Sequence, residues 1–97
     1  MVTFMIPAHL SGLLSADGRL AKPSMTTVSL NPGSWDEVVR EIRERFPLLA
    51  AHVLTTSGGI AAGFVLAVND AVVRDGYASL ELRGGDEFSI IAAMAGG

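Results

Sequence analysis

Residues 34–46 read SWDEVVREIRERF and are the most regular stretch of this chain. Apolar side chains recur there at helical spacing, which predicts a helix over residues 35–46 with one buried stripe. Ser34 and Glu37 have the spacing of a capping box, which marks the start of the helix. Pro47 ends it, because proline disfavours helical backbone in the residue before it. The stripe, which we assign to the core, contains Trp35, Val38, Val39, Ile42 and Phe46.

Segments with the two-residue period of strands lie on both sides of this helix. The two before it alternate apolar and polar residues and predict an N-terminal hairpin with a long connection. The first such segment after the helix, at residues 64–68, is apolar on both faces and ends at Asn69 and Asp70, which are typical turn residues. It therefore predicts a central strand. Gly84, Gly85 and Asp86 predict a tight turn before the last strand. The predicted strands cover residues 2–6, 27–30, 64–68, 79–82 and 88–91.

This order of elements predicts an α+β fold, a mixed sheet of four or five strands with one main helix packed across it. One helix covers only one face of such a sheet, so the other face meets solvent or a partner. Apolar residues on that face form a contiguous patch, which is typical of an interaction surface. The alternative is that the loop at residues 55–63 folds over it. The candidate residues for this partner surface are Met5, Val65, Ala67 and Ile91.

Composition limits the functions that the chain can have. Its 97 residues contain zero cysteines and carry a formal net charge of −3, which indicates one small domain without disulfides or thiolate metal sites. No basic stripe is present, so we expect no nucleic-acid partner. The apolar runs are too short to span a bilayer and the start lacks a secretion signal, so we expect no membrane association and a cytoplasmic location.

The sequence ends in Gly96 and Gly97, a strip of backbone without side chains and with a terminal carboxylate. A carboxylate becomes reactive when it is converted to an acyl-adenylate, and the enzyme that does this must enclose the chain end closely. Glycine avoids a collision of Cβ with the walls of such a slot. We therefore expect a domain over residues 1–93 and a flexible, extended tail over residues 94–97.

Conventional catalytic and metal-binding motifs are not recognisable elsewhere. His9 and His52 are isolated and lack the Glu/His spacing of a metal site. The serines have no nucleophile motif around them. The internal Gly-Gly pairs lack the lysine and hydroxyl of a phosphate-binding loop, so turn chemistry explains them better. We predict no catalytic residue, no metal and no bound cofactor.

Two motifs resemble those of the ThiS/MoaD family of ubiquitin-like sulfur carriers, whose members have the β-grasp fold. The first is the closing stretch at residues 82–97, LRGGDEFSIIAAMAGG, and the second is the strand end at Asn69 and Asp70. Within the family, FMIP at residues 4–7 and AMAGG at residues 93–97 are most similar to the CysO type of carrier from actinobacterial cysteine synthesis. Family members commonly have proline at the position of Ala92, so here the tail is expected to be more mobile.

The resemblance implies a specific chemistry at the chain end. A MoeB/ThiF-like adenylating enzyme uses ATP to activate the carboxylate of Gly97, while Met94, Ala95 and Gly96 lie in its slot. A sulfur donor then converts Gly97 to a thiocarboxylate, which supplies sulfur to a downstream synthase. The resemblance thus implies a protein co-substrate that is not itself an enzyme.

Other functions remain open at the level of sequence. The chain could be the small subunit of molybdopterin synthase, which is the role of MoaD within the same family. It could also be a non-covalent β-grasp interaction module whose final Gly-Gly is incidental. A third alternative is a protein modifier that uses the same activated terminus to join lysines.

Overall fold

The structure is a computed structural model that describes residues 1–8, 10, 26–74 and 76–93. Within these residues the chain forms strands on both sides of a pair of helices. The strands are β1 (Val2–Ile6), β2 (Thr26–Leu30), β3 (Gly33–Ser34), β4 (Phe64–Val68), β5 (Ala71–Val73), β6 (Glu81–Leu82) and β7 (Glu87–Ala92). The helices are α1 (Trp35–Arg45) and α2 (Pro47–Val53), and Tyr77–Ser79 form a 3-10 turn.

Five of the strands form one mixed sheet in the order β2-β1-β7-β4-β5. The first and the last strand of the sheet, β1 and β7, lie side by side and run parallel, with Phe4 opposite Phe88. The pairings of β1 with β2, of β4 with β7 and of β4 with β5 are antiparallel. The prediction of a mixed sheet of four or five strands with a helix across it is confirmed.

The capping box fixes the start of α1. The Ser34 hydroxyl accepts a hydrogen bond from the Glu37 amide at 3.3 Å, and the Glu37 carboxylate accepts one from the Ser34 amide at 3.2 Å. Both bonds satisfy amides that have no partner within the helix. The helix ends at Arg45, one residue earlier than predicted, because Phe46 leaves helical geometry and becomes its C-cap.

Aromatic rings link α1 to the centre of the sheet. The rings of Phe4 and Phe88 stack with centroids 4.5 Å apart, and Trp35 meets Phe88 edge-on at 5.9 Å. The indole N–H of Trp35 donates a buried hydrogen bond of 2.8 Å to the carbonyl of Gly58, which ties the loop after α2 to α1. The assignment of Trp35 to the core is confirmed, since only 1% of its surface is exposed. Phe46 is half-buried at the edge of the same core.

The structure adds a second helix that the sequence analysis missed. Pro47 ends α1 as expected, but it also occupies the first turn of α2. Proline is favoured there because its missing N–H has no helical partner to lose. The run of apolar and small residues that follows Pro47 could have indicated this second helix. This helix buries Leu49, Ala50 and Val53 against the core.

The prediction of a strand over residues 79–82 is wrong, because the strand is shorter than predicted and does not belong to the main sheet. Tyr77–Ser79 form the 3-10 turn, and only Glu81–Leu82 are extended. These two residues pair with Gly33–Ser34 in a separate two-stranded sheet. The cause is a set of contacts with residues distant in sequence: the Leu82 side chain is buried in the core and the Leu80 carbonyl accepts the Trp35 amide at 2.9 Å. The short strand therefore holds the start of α1 and does not extend the main sheet.

No helix in the described part of the chain is long and apolar enough to cross a membrane.

Replacement of Ile42 by alanine tests the assignment of the core stripe. Ile42 is fully buried on α1, so we expect the free energy of unfolding to fall by about 2 to 5 kcal/mol through lost burial and a residual cavity. Leu48→Ala, on α2 where 46% of Leu48 is exposed, is the matched control and should change it by less than about 1 kcal/mol. Chemical denaturation measures both, and equal losses would contradict the assignment.

Candidate functional site

The face of the main sheet opposite the helices presents an apolar patch. The strand registers place Met5, Ser89, Ala67 and Val72 in one row across the sheet, and Ile91 beside Val65 in the next. All four predicted surface residues therefore lie on one face. We define the outer patch as Met5, Val65, Ala67, Val72 and Ile91.

The outer patch is accessible in the described chain. Ile91 is 37% exposed and Val72 is 51% exposed, while Met5, Val65 and Ala67 are partly buried by their neighbours. Sequence reasoning missed Val72, because it assigned no strand after the turn at Asn69. Two apolar, β-branched residues following that turn signal could have revealed the edge strand.

The loop after α2 does not cover the outer patch. Its residues pack against α1, on the opposite side of the sheet, through the Trp35 bond to Gly58 and through Arg43. The Arg43 guanidinium donates to the carbonyl of Thr55 at 2.6 Å. The alternative in which residues 55–63 fold over the outer face is therefore wrong for the described residues.

The turn at Asn69 and Asp70 bounds one end of the outer face. Both residues have positive φ, 48° and 70°, as a two-residue hairpin turn that follows the twist of the sheet requires. The Asn69 amide donates to the Glu87 carbonyl at 2.8 Å, and its side-chain oxygen accepts the Glu87 amide at 3.0 Å. These contacts join the β4–β5 turn to the start of β7, so this motif serves the fold.

Asp86 connects the same turn to the Gly84-Gly85 turn. Its carboxylate accepts the Arg83 amide at 2.8 Å and the Asn69 side-chain amide at 3.1 Å. Both hydrogen bonds favour the charged form of the carboxylate, so they lower the pKa of Asp86 below its ordinary value. The bond from the Arg83 amide has the largest effect, and the bond from the Asn69 side chain has the second largest. The carboxylate thus holds the two turns together while it is ionised.

The opposite end of the outer face is where the chain leaves the sheet. Strand β7 continues to Ala92, opposite Phe64, and the Ala93 amide donates to the Gly63 carbonyl at 2.8 Å. The predicted tail residues Met94, Ala95, Gly96 and Gly97 lie outside the described residues. Their extended conformation and the division of the chain at residue 93 stay predictions.

Two other surface features carry no reactive arrangement in the described residues. A hollow of about 460 Å³ lies beside α2, but the Arg43 guanidinium that lines it is bonded to the loop carbonyls. His52 packs edge-on against Phe64, with ring centroids 5.5 Å apart, and His9 lies outside the described residues. No cluster of three or more potential metal ligands occurs in the part of the chain that the structure describes.

The sequence matches the profile of the ThiS family over residues 17–97. No curated protein matches the sequence significantly.

Solved structures share the fold over nearly the whole chain. A chain in the Amycolatopsis orientalis BexX/CysO complex is 24% identical, with a TM-score of 0.74 and coverage of 100% of both chains. Mycobacterium tuberculosis CysO is 22% identical, with a TM-score of 0.73 over 97% of this chain and 100% of that one. SAMP1 from Haloferax volcanii is 13% identical, with a TM-score of 0.64 over 99% of this chain and 98% of that one. The fold is therefore a β-grasp, as predicted.

Substitution Asp86→Asn tests the link between the two turns. The pKa of Asp86 in the folded chain is lower than its ordinary value of 3.8. The ionised carboxylate therefore stabilises the fold when the pH is above that ordinary value, and this contribution is lost as the pH falls through the lowered pKa. We expect Asp86→Asn to be less stable than the parent at neutral pH, with the difference shrinking as pH falls below that value.

Thermal unfolding across pH measures this difference. Glu44→Gln, which removes an exposed carboxylate from α1, is the control for the loss of one negative charge. A deficit of Asp86→Asn that stays constant down to the most acidic pH would contradict the role of the ionised carboxylate.

Proposed function

We propose a function from the premise that this chain belongs to the ThiS family. The chain is a ubiquitin-like sulfur carrier, and its C-terminal glycine is the group that carries sulfur. The observation that supports this proposal most is that the family match extends to Gly97, the residue that the proposed chemistry requires. The chain acts as a protein co-substrate, and the catalytic groups belong to its partners.

The proposed reaction has two steps at one carbon atom. First, a carboxylate oxygen of Gly97 attacks the α-phosphate of ATP, pyrophosphate leaves, and an acyl-adenylate forms. Second, sulfide (HS⁻) attacks the carbonyl carbon, AMP leaves with the oxygen that it had bonded, and the thioacid loses its proton to become a thiocarboxylate. ATP is bound by a MoeB/ThiF-like adenylating enzyme and not by this chain.

The position of β7 supports this use of the chain end. β7 is a central strand with neighbours on both sides, so the residue from which the tail starts is held by the body of the domain. Gly97 is the fourth residue after Ala93, which allows a reach of about 14 Å when extended. Such a reach takes the carboxylate into a slot of the enzyme while the domain stays outside.

The outer patch is the proposed docking surface for the adenylating enzyme. Ile91 and Val65 lie on the outer face next to the end of β7, so a partner that contacts them lies beside the tail. The chain of similar fold from Amycolatopsis orientalis was solved in a complex with BexX, a precedent for protein docking by this fold. Apolar residues at the centre of such contacts provide most of the binding energy.

The thiocarboxylate would pass its sulfur to a downstream synthase in the cytoplasm. The structural likeness to CysO suggests cysteine or a related sulfur-containing metabolite as the product. Transfer to a molybdopterin precursor, the role of MoaD, requires the same thiocarboxylate and differs only in the acceptor.

Deletion of Gly97 tests the chemistry at the chain end. We expect the parent, incubated with its adenylating enzyme, ATP and sulfide, to gain the mass difference between oxygen and sulfur, localised to Gly97. The deleted chain should gain none, because its carboxylate falls short by about 3.5 Å and attack needs atoms within about 3 to 3.5 Å. Intact-mass spectrometry measures both.

Two controls accompany the deletion. Its thermal unfolding should match that of the parent, which separates lost chemistry from lost fold. Leu48→Ala, on the helical side of the domain, should be thiolated like the parent. Equal thiolation of the deleted chain, or none of the parent, would contradict the carrier function and leave a non-covalent interaction module.

Charged substitutions in the outer patch test the docking surface. We expect Ile91→Glu and Val65→Glu to weaken binding to the adenylating enzyme by about tenfold or more, because a charge would be buried without a partner in the contact. Leu48→Glu places the same charge on an exposed residue of α2 and should leave affinity unchanged. Calorimetry measures the affinities, and unaltered binding of both patch variants would disprove docking through this face.

A further inference from the structure

The two edges of the main sheet differ in how they are covered. At the β2 edge, the Arg45 guanidinium donates to the Ser29 carbonyl at 2.7 Å and is held there by Glu41 at 2.9 Å. A charged side chain across an edge strand prevents its pairing with another strand. At the β5 edge, the Tyr77 hydroxyl donates to the Val73 carbonyl at 3.4 Å, but within the described residues no charged side chain crosses the strand and no side chain bonds to the backbone of Val72.

The backbone of β5 exposes one residue for pairing. Val68 and Ala71 close the two-residue turn and Val73 faces Leu66, so Ala71 and Val73 direct their N–H and C=O groups to β4. These groups alternate in direction along a strand, so the N–H and C=O of Val72 point to the free edge. The Val72 side chain is also the most exposed of the outer patch residues, at 51%.

The residues around Val72 are complementary to themselves. When two copies of β5 pair antiparallel with Val72 opposite Val72, Ala71 lies opposite Val73. In the same register, Asp70, in the turn that precedes β5 of each copy, comes beside Arg74, which follows β5 of the other. Asp70 and Arg74 are both exposed, and neither forms an ion pair with another described residue.

We propose that the β5 edge pairs with the β5 edge of a second copy of this chain. The contact is a two-fold antiparallel pair centred on Val72, with both backbone groups of Val72 bonded across the axis and an Asp70–Arg74 ion pair on each side. One sheet then runs through both copies. The contact is small, so the dimer is weak and depends on concentration. It is independent of the chemistry proposed for Gly97.

Val72→Pro is the first test variant. Proline is tolerated on an edge strand where its missing N–H faces outward, so the domain should fold, as circular dichroism and thermal unfolding would show. Sedimentation velocity of the purified chain, without the adenylating enzyme, measures association over a rising concentration series. We expect a monomer–dimer equilibrium for the parent and a monomer at every concentration for Val72→Pro.

Charge variants test the register. Arg74→Glu places like charges opposite each other at both ends of the contact, and we expect it to weaken dimerisation by on the order of tenfold. The double variant Asp70→Asn/Arg74→Glu removes this repulsion, because one of the two facing negative charges is gone. Asparagine is chosen at position 70 because it accepts the positive φ of the turn. The double variant should therefore dimerise more tightly than Arg74→Glu alone.

Ile91→Ser separates edge pairing from face-to-face packing of the outer patch. Ile91 lies two strands away from β5, so this variant should dimerise like the parent. Loss of the dimer in Ile91→Ser together with its retention in Val72→Pro would overturn the proposal in favour of face-to-face packing. A parent that stays monomeric throughout the concentration series would overturn it as well.

Discussion

The stacked pair of Phe4 and Phe88 is the contact on which the rest of the structure depends. Their centroids lie 4.5 Å apart, and they join the two strands at the centre of the sheet. Trp35 packs on Phe88 from α1, so the helix is positioned by the same pair of rings. With β1 and β7 at the centre, β2 extends the sheet on the β1 side, and β4 followed by β5 extends it on the β7 side.

The division between the two faces of the sheet also follows from this centre. With Phe4 and Phe88 turned toward the helices, Met5, Ser89 and Ile91 are turned away from them. The outer patch is therefore a consequence of strand parity, while its exposure depends on the loop after α2 packing against α1. Core and proposed docking surface are thus specified by alternate residues of the same strands.

Much of the fold was predictable because its signals are local. The capping box at Ser34 and Glu37 and the spacing of the stripe on α1 depend on residues a few positions apart. The parity of the outer face was not fixed by the sequence, because β4 and β7 carry apolar residues on both faces, and the strand registers are what place Met5, Val65, Ala67 and Ile91 on one face. The strand at residues 79–82 was mispredicted because its partner at Gly33 lies far away in sequence. Pro47 was read as a stop signal, and its second role at the start of α2 was missed. The site at Gly97 rests on the family resemblance, since it lies outside the described residues.

The central position of β7 makes folding depend on the last strand of the chain. In this sheet the last strand lies between β1 and β4, so a chain that stops before β7 lacks the neighbour of both and leaves Phe4 without its stacking partner. Pairing of the first strand with the last is the most non-local contact that a chain can make, and such contacts form late because loop closure opposes them. A chain that stops before β7 would therefore expose its apolar strands to proteolysis, whereas a chain that loses only residues after Ala93 keeps every strand of the sheet. The fold thereby requires the chain to extend through β7, the strand that precedes the proposed reactive end.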